Sequence, residues 1–113
     1  MKIEPLSIEG AYKITPSKLG DSRGTFARVY CAHTFSDQRL NTTWVQMNTS
    51  FNATKGTARG LHFQRPPFAE IKLVRCVRGE VLDVFLDLRQ DSATFGTVCT
   101  VNLNGDAMES VYI

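Results

Sequence analysis

The sequence predicts an all-β fold, and three observations carry that prediction. Segments with apolar residues at alternate positions recur roughly every ten residues from Trp44 onward, which is typical of short strands with one buried face. Turn-forming residues separate these segments. No long stretch repeats its apolar residues at the spacing of a helix. Many short strands joined by turns favour a sandwich or a barrel.

The first part of the chain predicts two edge strands, a loop and a short helical segment. Residues 2–14 alternate loosely and are interrupted by a proline and a glycine, which indicates two short strands at a sheet edge. Residues 16–24 are rich in turn formers and predict a loop. Residues 25–35 favour a strand that runs into a turn or short helix. Residues 36–42 form a polar connection with one helical turn around Leu40.

The remainder of the chain predicts a series of strands. They cover residues 44–52, 60–64, 71–77, 81–88 and 97–104, with a last strand ending at Ile113. Pro66 and Pro67 place a turn before residue 71, because neither can sit in a central strand. The short glycine-containing segment Arg78–Glu80 predicts a β-hairpin between the strands that flank it.

Length and composition exclude several classes of protein. A chain of 113 residues predicts a single domain over residues 1–113. The net charge of +2 and the dispersed basic residues argue against a nucleic-acid interface. No apolar run approaches the roughly 20 residues of a membrane span, and the first residues do not resemble a secretory signal. We therefore expect a cytoplasmic protein without a membrane partner.

Cysteine and histidine usage argues against a metal site. Cys31, Cys76 and Cys99 form no CxxC pair, so reduced thiols are the expectation. Two histidines without paired thiols do not make a zinc-type site, so no metal is expected.

One stretch carries the residue types of a reactive site. His62 can move protons near neutrality, Arg59 is a planar cation suited to phosphate, and Lys72 is a compact cation. Together they suggest proton chemistry on an anionic substrate, although a structural histidine and a solvated lysine are equally ordinary alternatives. Asp83 and Asp87 share one face of the predicted strand 81–88. We interpret them as residues that are structural or that support the reacting residues without touching the substrate, because nothing places both beside His62.

Five motifs extend this pattern along nearly the whole chain. They are D-x-R-G-x-F from Asp21, V-Q-x-N-x-S from Val45, G-T-x-R-G-L-H-F-Q from Gly56, P-P-x-A-E-x-K-L-V from Pro66 and D-V-x-x-D-L-R-x-x-S-x-T-F-G from Asp83. In this order and spacing the sequence resembles the dTDP-4-dehydrorhamnose 3,5-epimerases. The resemblance implies a cupin-type jelly roll that works as a homodimer without a metal or organic cofactor. It implies a dTDP-linked 4-keto-6-deoxy sugar as substrate, on the route to rhamnose or a related deoxysugar.

The resemblance also implies roles for individual residues. His62 matches the general base that removes protons alpha to the C4 ketone, and Lys72 matches the cation beside the sugar O4. The implied substrate contacts are Arg23 and Arg59 to the diphosphate, Gln46 and Asn48 in the cleft, and Phe26 beside the thymine of the partner subunit.

Two departures from the family pattern qualify these expectations. The family usually has Glu where this chain has Arg28. Family members also continue beyond the segment that matches Ser110–Ile113, with a catalytic tyrosine and an aspartate that pairs with the base. We therefore expect this chain to correspond to the N-terminal portion of an epimerase and to turn over poorly. The alternatives are a dTDP-sugar 3,4-ketoisomerase, which shares a small cupin with an R-G-x-H-type strand, and a non-catalytic nucleotide-sugar-binding cupin.

Overall fold

A computed structural model describes residues 1–113, and strands dominate its regular structure. The strands are β1 (Lys2–Pro5), β2 (Tyr12–Thr15), β3 (Lys18–Asp21), β4 (Gly24–Ala27), β5 (Leu73–Arg75), β6 (Glu80–Leu86), β7 (Val98–Asn104) and β8 (Ser110–Tyr112). The α-helix α1 covers Ala32–Asp37. The all-β prediction is confirmed. None of the protein's helical structure has the length and apolar character needed to cross a bilayer.

The chain forms two compact units. The first unit comprises residues 1–29 and 70–113, and the second comprises residues 30–69. In the first unit, β1, β2, β8 and β5 form an antiparallel sheet in that order. Strands β6 and β7 form a second, two-stranded sheet, and β3 pairs with β4 alone.

The core of the first unit lies between its two larger sheets. Strand β7 alternates strictly, with every second side chain buried. The buried core residues are Ile8, Ala11, Cys99, Val101, Leu103 and Val111. Strand β6 turns Phe85 toward this core, and Asp83 shares that face. Its leucine-bearing side, with Leu82 and Leu86, is exposed instead. The more apolar face of β6 therefore does not build the core of this chain.

The predicted hairpin across Arg78–Glu80 is wrong. Strand β5 pairs with β8 and β6 pairs with β7, so the segment carries the chain from one sheet to the other. Gly79 has a positive φ of 78°, and its carbonyl accepts a hydrogen bond from the N–H of Gly105 at 2.9 Å. The turn at Gly79 and the turn at Gly105 are thereby packed against each other. A short turn alone does not reveal which strands it will join.

The close packing of these corners predicts a large effect at Gly105. A Cβ atom on Gly105 would lie 2.9 Å from both the Arg78 Cα and the Val77 carbonyl oxygen, which are backbone atoms that cannot move aside. We expect Gly105→Ala to lower the free energy of unfolding by about 1–3 kcal/mol, measured by urea denaturation. Gly20→Ala is the control, since its nearest contact would be an ordinary 3.5 Å. Equal stability of the two variants would contradict this packing.

The predicted loop over residues 16–24 is also wrong in part, since it contains most of a hairpin. Strands β3 and β4 pair from Lys18–Ala27 to Asp21–Gly24, and Leu19 lies opposite Phe26. The turn is closed by the Arg23 N–H, which donates to the Asp21 carboxylate at 2.9 Å. Strand β3 was not predicted because its sequence is poor in the β-branched and aromatic residues that are typical of strands. We call this hairpin the arm.

The second unit is organised around α1. Phe35 is fully buried, and Tyr30 packs edge-on against it with ring centroids 4.8 Å apart. Trp44 adds a second edge-on contact to Tyr30 at 6.3 Å. The predicted passage from a strand into a short helix within residues 25–35 is confirmed by β4 and α1, whereas the helical turn predicted around Leu40 is wrong, because α1 ends at Asp37.

The predicted strands over residues 44–52 and 60–64 are wrong. Neither segment has regular structure, and residues 45–64 are exposed throughout. A strand is stabilised by hydrogen bonds to a neighbour, and no segment of this chain pairs with either one. The alternating pattern indicates residues that suit a strand, but it does not show whether a neighbouring strand is available to pair with them. The predicted strands from residue 71 onward are confirmed, mostly in shorter form, as β5 to β8.

Candidate functional site

The candidate residues divide between the two units. The first unit carries Arg23, Phe26 and Lys72, and the second carries Gln46, Asn48, Arg59 and His62.

Lys72 lies at the edge of the core of the first unit. Its backbone exchanges two hydrogen bonds with Ile113, at 2.7 and 3.0 Å, and so extends the ladder between β5 and β8 by one pair. Side chains two apart on a strand share a face, so Lys72 points to the same side as Val74, which packs on the core. The Lys72 ammonium forms an ion pair with Glu70 at 3.2 Å. The backbone pairing thus fixes the position of the Lys72 Cα, and the ion pair with Glu70 restrains the ammonium group.

Asp87, just beyond β6, is the centre of a buried hydrogen-bond cluster. Its carboxylate accepts from Arg89 Nε at 2.8 Å, Ser92 Oγ at 2.6 Å and Thr94 Oγ1 at 2.7 Å. The Arg89 guanidinium also donates to the Glu9 carbonyl at 2.6 Å, which ties the turn after β1 to this cluster. Hydrogen bonds from Arg89, and then from Ser92, hold the pKa of Asp87 far below its ordinary value. Asp87 is therefore a structural residue.

Asp83 lies on the same face as Asp87, but its carboxylate lacks the hydrogen bonds that Asp87 receives. Its Oδ2 atom is buried and accepts no hydrogen bond. Burial raises the pKa of Asp83, while the Val84 backbone N–H and the charge of Lys72 act against that shift without cancelling it. Two aspartates on one face thus have opposite environments. Only Asp87 is fully satisfied.

In the arm, Asp21 holds Arg23. The Arg23 guanidinium donates to Asp21 through Nη2 at 2.6 Å and Nε at 3.2 Å. This contact lowers the pKa of Asp21 and raises the pKa of Arg23, although both side chains are exposed. The arm borders an open concavity of about 480 Å³ whose lining includes Leu19, Arg23 and Phe26. An oriented cation and an exposed aromatic ring therefore share one concave surface.

In the second unit, Arg59 and His62 are separated by a glycine with unusual backbone geometry. Arg59 Nε donates to Asn52 Oδ1 at 2.7 Å, so this side chain also has a fixed partner. Gly60 has a φ of 98°, and a Cβ there would lie 3.0 Å from His62 Nδ1. Gly60 therefore adopts a backbone conformation that other residues rarely reach, and the absence of a Cβ leaves room for the imidazole. His62 is exposed, as are Gln46 and Asn48.

The sequence analysis missed the partners of the candidate cations. Asp21 and Glu70 each hold a cation two residues further along the chain, and Asn52 holds Arg59. The signal was present, because an acid and a base two apart recur at the ion pairs Asp21–Arg23, Glu70–Lys72 and Asp87–Arg89. In an extended segment this spacing places both side chains on one side. No three acidic, histidine or cysteine side chains come together as a metal site would require, and the three cysteines are unpaired.

Comparison with known proteins identifies one family. A family model for dTDP-4-dehydrorhamnose 3,5-epimerase matches residues 5–113. The enzyme of that name from Sinorhizobium fredii strain NGR234 is 43% identical over 104 residues, which are 92% of this chain and 53% of that protein.

Two solved structures are similar to this fold. The epimerase of Bacillus anthracis, with TDP and PPi bound, has a TM-score of 0.94 at 34% identity and covers 99% of this chain and 64% of that one. The epimerase of Legionella pneumophila, in complex with dTDP-4-keto-L-rhamnose, has a TM-score of 0.89 at 34% identity and covers 99% and 59%. These epimerases are cupin jelly rolls, which agrees with the predicted fold.

This chain spans about half the length of the curated relatives it matches. The match nevertheless runs through nearly all of its own residues and includes every candidate site residue. The chain belongs to the dTDP-4-dehydrorhamnose 3,5-epimerase family.

Proposed function

We propose that this chain carries the proton-abstracting part of a dTDP-4-dehydro-6-deoxyhexose 3,5-epimerase. The observation that carries the proposal is the family match over residues 5–113, which includes His62 and Lys72 in their motifs. In the proposed reaction His62 removes the proton alpha to the C4 ketone. Lys72 stabilises the negative charge that develops on O4 as the enolate forms.

The residue types suit this chemistry. A proton alpha to a ketone becomes acidic only when the enolate oxygen is stabilised, and a pre-positioned cation can supply several kcal/mol of that stabilisation. The Ile113 ladder pair fixes the backbone from which Lys72 extends, and Glu70 pairs with its ammonium at 3.2 Å. Histidine is suited to the base role because its ordinary pKa lies near neutral pH. The proposed reaction uses no metal and no organic cofactor.

The proposed substrate is a dTDP-linked 4-keto-6-deoxy sugar. The Legionella pneumophila relative binds dTDP-4-keto-L-rhamnose. In this chain Arg23 and Arg59 are proposed to bind the diphosphate, because a planar guanidinium matches phosphate oxygens. Each is already oriented by an oxygen partner, Asp21 or Asn52. Gln46 and Asn48 would line the cleft, and Phe26 would stack beside the thymine of the partner subunit. We place the protein in the cytoplasm.

A homodimer is the proposed assembly. The arm exposes apolar side chains, since Leu19 and Phe26 are 69% and 65% exposed and lie opposite each other on its two strands. Exposed apolar side chains on a projecting hairpin are typical of an interface.

The arm gives a testable prediction about assembly. We expect a dimer by light scattering at micromolar concentration, and we expect Leu19→Ser with Phe26→Ser to shift the chain toward monomer. The matched control is Phe68→Ser, since Phe68 is 72% exposed but lies outside the arm. A wild-type monomer would contradict the proposed homodimer. A dimer that the arm substitutions leave intact would contradict the role of the arm.

The activity itself is tested by NMR of the 4-keto sugar in deuterated buffer. An epimerase exchanges protons at C3 and C5 while the ketone stays at C4. A 3,4-ketoisomerase exchanges at C3 with migration of the ketone, and a binding module exchanges at neither position. Exchange at C3 or C5 without ketone migration is the expected result. Its complete absence would refute the proposed function.

A further inference from the structure

Lys72 and Asp83, two side chains of opposite charge, lie on the core-facing sides of the two sheets of the first unit. Lys72 shares its side of the β5 ladder with Val74, and Asp83 shares its side of β6 with Phe85. Val74 and Phe85 both pack on the same buried cluster. The four-stranded sheet therefore presents the cation, and the two-stranded sheet presents the carboxylate, to one shared interior.

The Asp83 carboxylate is not placed there for stability. Its Oδ2 atom is buried without a donor, and an unsatisfied buried acceptor costs free energy. Asp87, on the same face, shows that this chain can satisfy an aspartate completely. An incompletely hydrogen-bonded carboxylate on the side of a strand that faces a candidate reactive cation is typical of a functional site.

We propose that Asp83 is a positioning residue for Lys72, whose carboxylate draws the ammonium inward from its ion pair with Glu70. Lys72 has a long flexible side chain, and the Glu70 pair alone would leave it free to follow an exposed partner. A second negative charge across the core gives the ammonium a fixed direction. The catalytic consequence rests on the proposed function, in which Lys72 stabilises the enolate.

The coupling between Asp83 and Lys72 is tested first without any substrate. The titration of the Asp83 carboxyl carbon is followed by NMR in the wild-type chain, in Lys72→Met and in Lys72→Arg. The wild-type carboxyl should titrate above the ordinary pKa of 3.8. Lys72→Met should raise the pKa of Asp83 further, because it removes the opposing charge, whereas Lys72→Arg should leave it near the wild-type value.

Lys13→Met is the matched control for this titration. Lys13 lies opposite Val111 on the core-facing side of the same sheet and, like Lys72, has a glutamate partner, Glu109 at 3.0 Å. Lys72, however, is the lysine whose charge acts on the pKa of Asp83. Lys13→Met should leave the titration of Asp83 unchanged. An unchanged titration in Lys72→Met, or an equal shift in both variants, would overturn the proposal.

Stability separates a positioning role from a structural one. Because the pKa of Asp83 is raised in the folded state, the cost of its charge appears as pH rises above 3.8 and is complete once the pH exceeds the raised folded-state pKa. Asp83→Asn removes that charge at nearly the same volume. We expect this variant to unfold at pH 7 at a temperature no lower than that of the wild type. A large fall in the unfolding temperature would make Asp83 structural and overturn the proposal.

The effect of Asp83 on catalysis is tested by the exchange assay with Asp83→Asn. A misdirected cation should slow exchange at saturating sugar by about 10- to 100-fold. The half-saturating sugar concentration should stay within about twofold, because the ground state has no enolate charge to bind. An unchanged exchange rate would overturn the proposal. If the wild-type chain shows no exchange at all, the proposed function fails, and the titration alone decides whether Asp83 positions Lys72.

Discussion

Substitution of His62→Ala is expected to abolish deuterium exchange into the 4-keto sugar. General-base catalysis contributes about 10²- to 10⁴-fold, so loss of the imidazole should bring exchange to the solvent background. The measurement is NMR of the sugar in deuterated buffer with the 113-residue chain. Exchange is the appropriate readout because it reports proton abstraction itself, which needs only a base and a cation. Inversion also requires a second group to return the proton from the opposite face.

His33→Ala provides a control for the His62 experiment. His33 lies on α1 in the same unit as His62, and both side chains are exposed, so the two substitutions differ only in position. Exchange should persist in His33→Ala at the wild-type rate. Undiminished exchange in His62→Ala would show that another group is the base. Equal loss in both variants would indicate general damage to the second unit.

Substitution of Asp87→Asn is expected to cause a large loss of stability. Arg89, Ser92 and Thr94 all donate to the Asp87 carboxylate, and the Asn amide nitrogen would face donors instead of accepting from them. The link from Arg89 to the Glu9 carbonyl would loosen with it. We expect the unfolding temperature to fall on the order of 10 °C. Amide hydrogen exchange should rise most at the β6–β7 connection.

The Asp87 cluster also predicts how stability depends on pH. Because its pKa is lowered in the folded state, the carboxylate stabilises the fold at pH above its ordinary value of 3.8 and loses that effect as pH falls below it. The wild-type chain should therefore lose stability in acid more steeply than Asp87→Asn. Asp91→Asn, in the exposed part of the same turn, should behave as wild type. Parallel pH profiles for Asp87→Asn and wild type would contradict this account.

The fold was predictable where local pattern and pairing agree. Strand β7 has a strict alternation that marks its buried side chains, and its neighbour β6 is a true hairpin partner through a turn-rich connection. The hairpin predicted at Arg78–Glu80 is wrong because a tight glycine turn can either close a hairpin or connect two sheets. The Gly105 contact that fixes this corner joins residues far apart in sequence.

The residue types of the candidate site were predictable from the sequence, but their arrangement in space was predictable only in part. Motif spacing indicated which residues are the base and the cations. It did not indicate that Asp21, Glu70 and Asn52 hold the three candidate cations, although for Asp21 and Glu70 the spacing of two residues between acid and base was available. It also could not separate Asp83 from Asp87, because both occupy the same side of one strand.

The sequence by itself determined the strand-forming segments from residue 71 onward, the family and the residue types of the proposed chemistry, because these depend on local order along the chain. Only the tertiary structure decided that Asp87 is satisfied while Asp83 is not, and that Lys72 faces the same core. Burial and hydrogen-bond supply are set by what packs around a side chain. Two identical residues on one strand can therefore become a structural anchor and an unsatisfied charge.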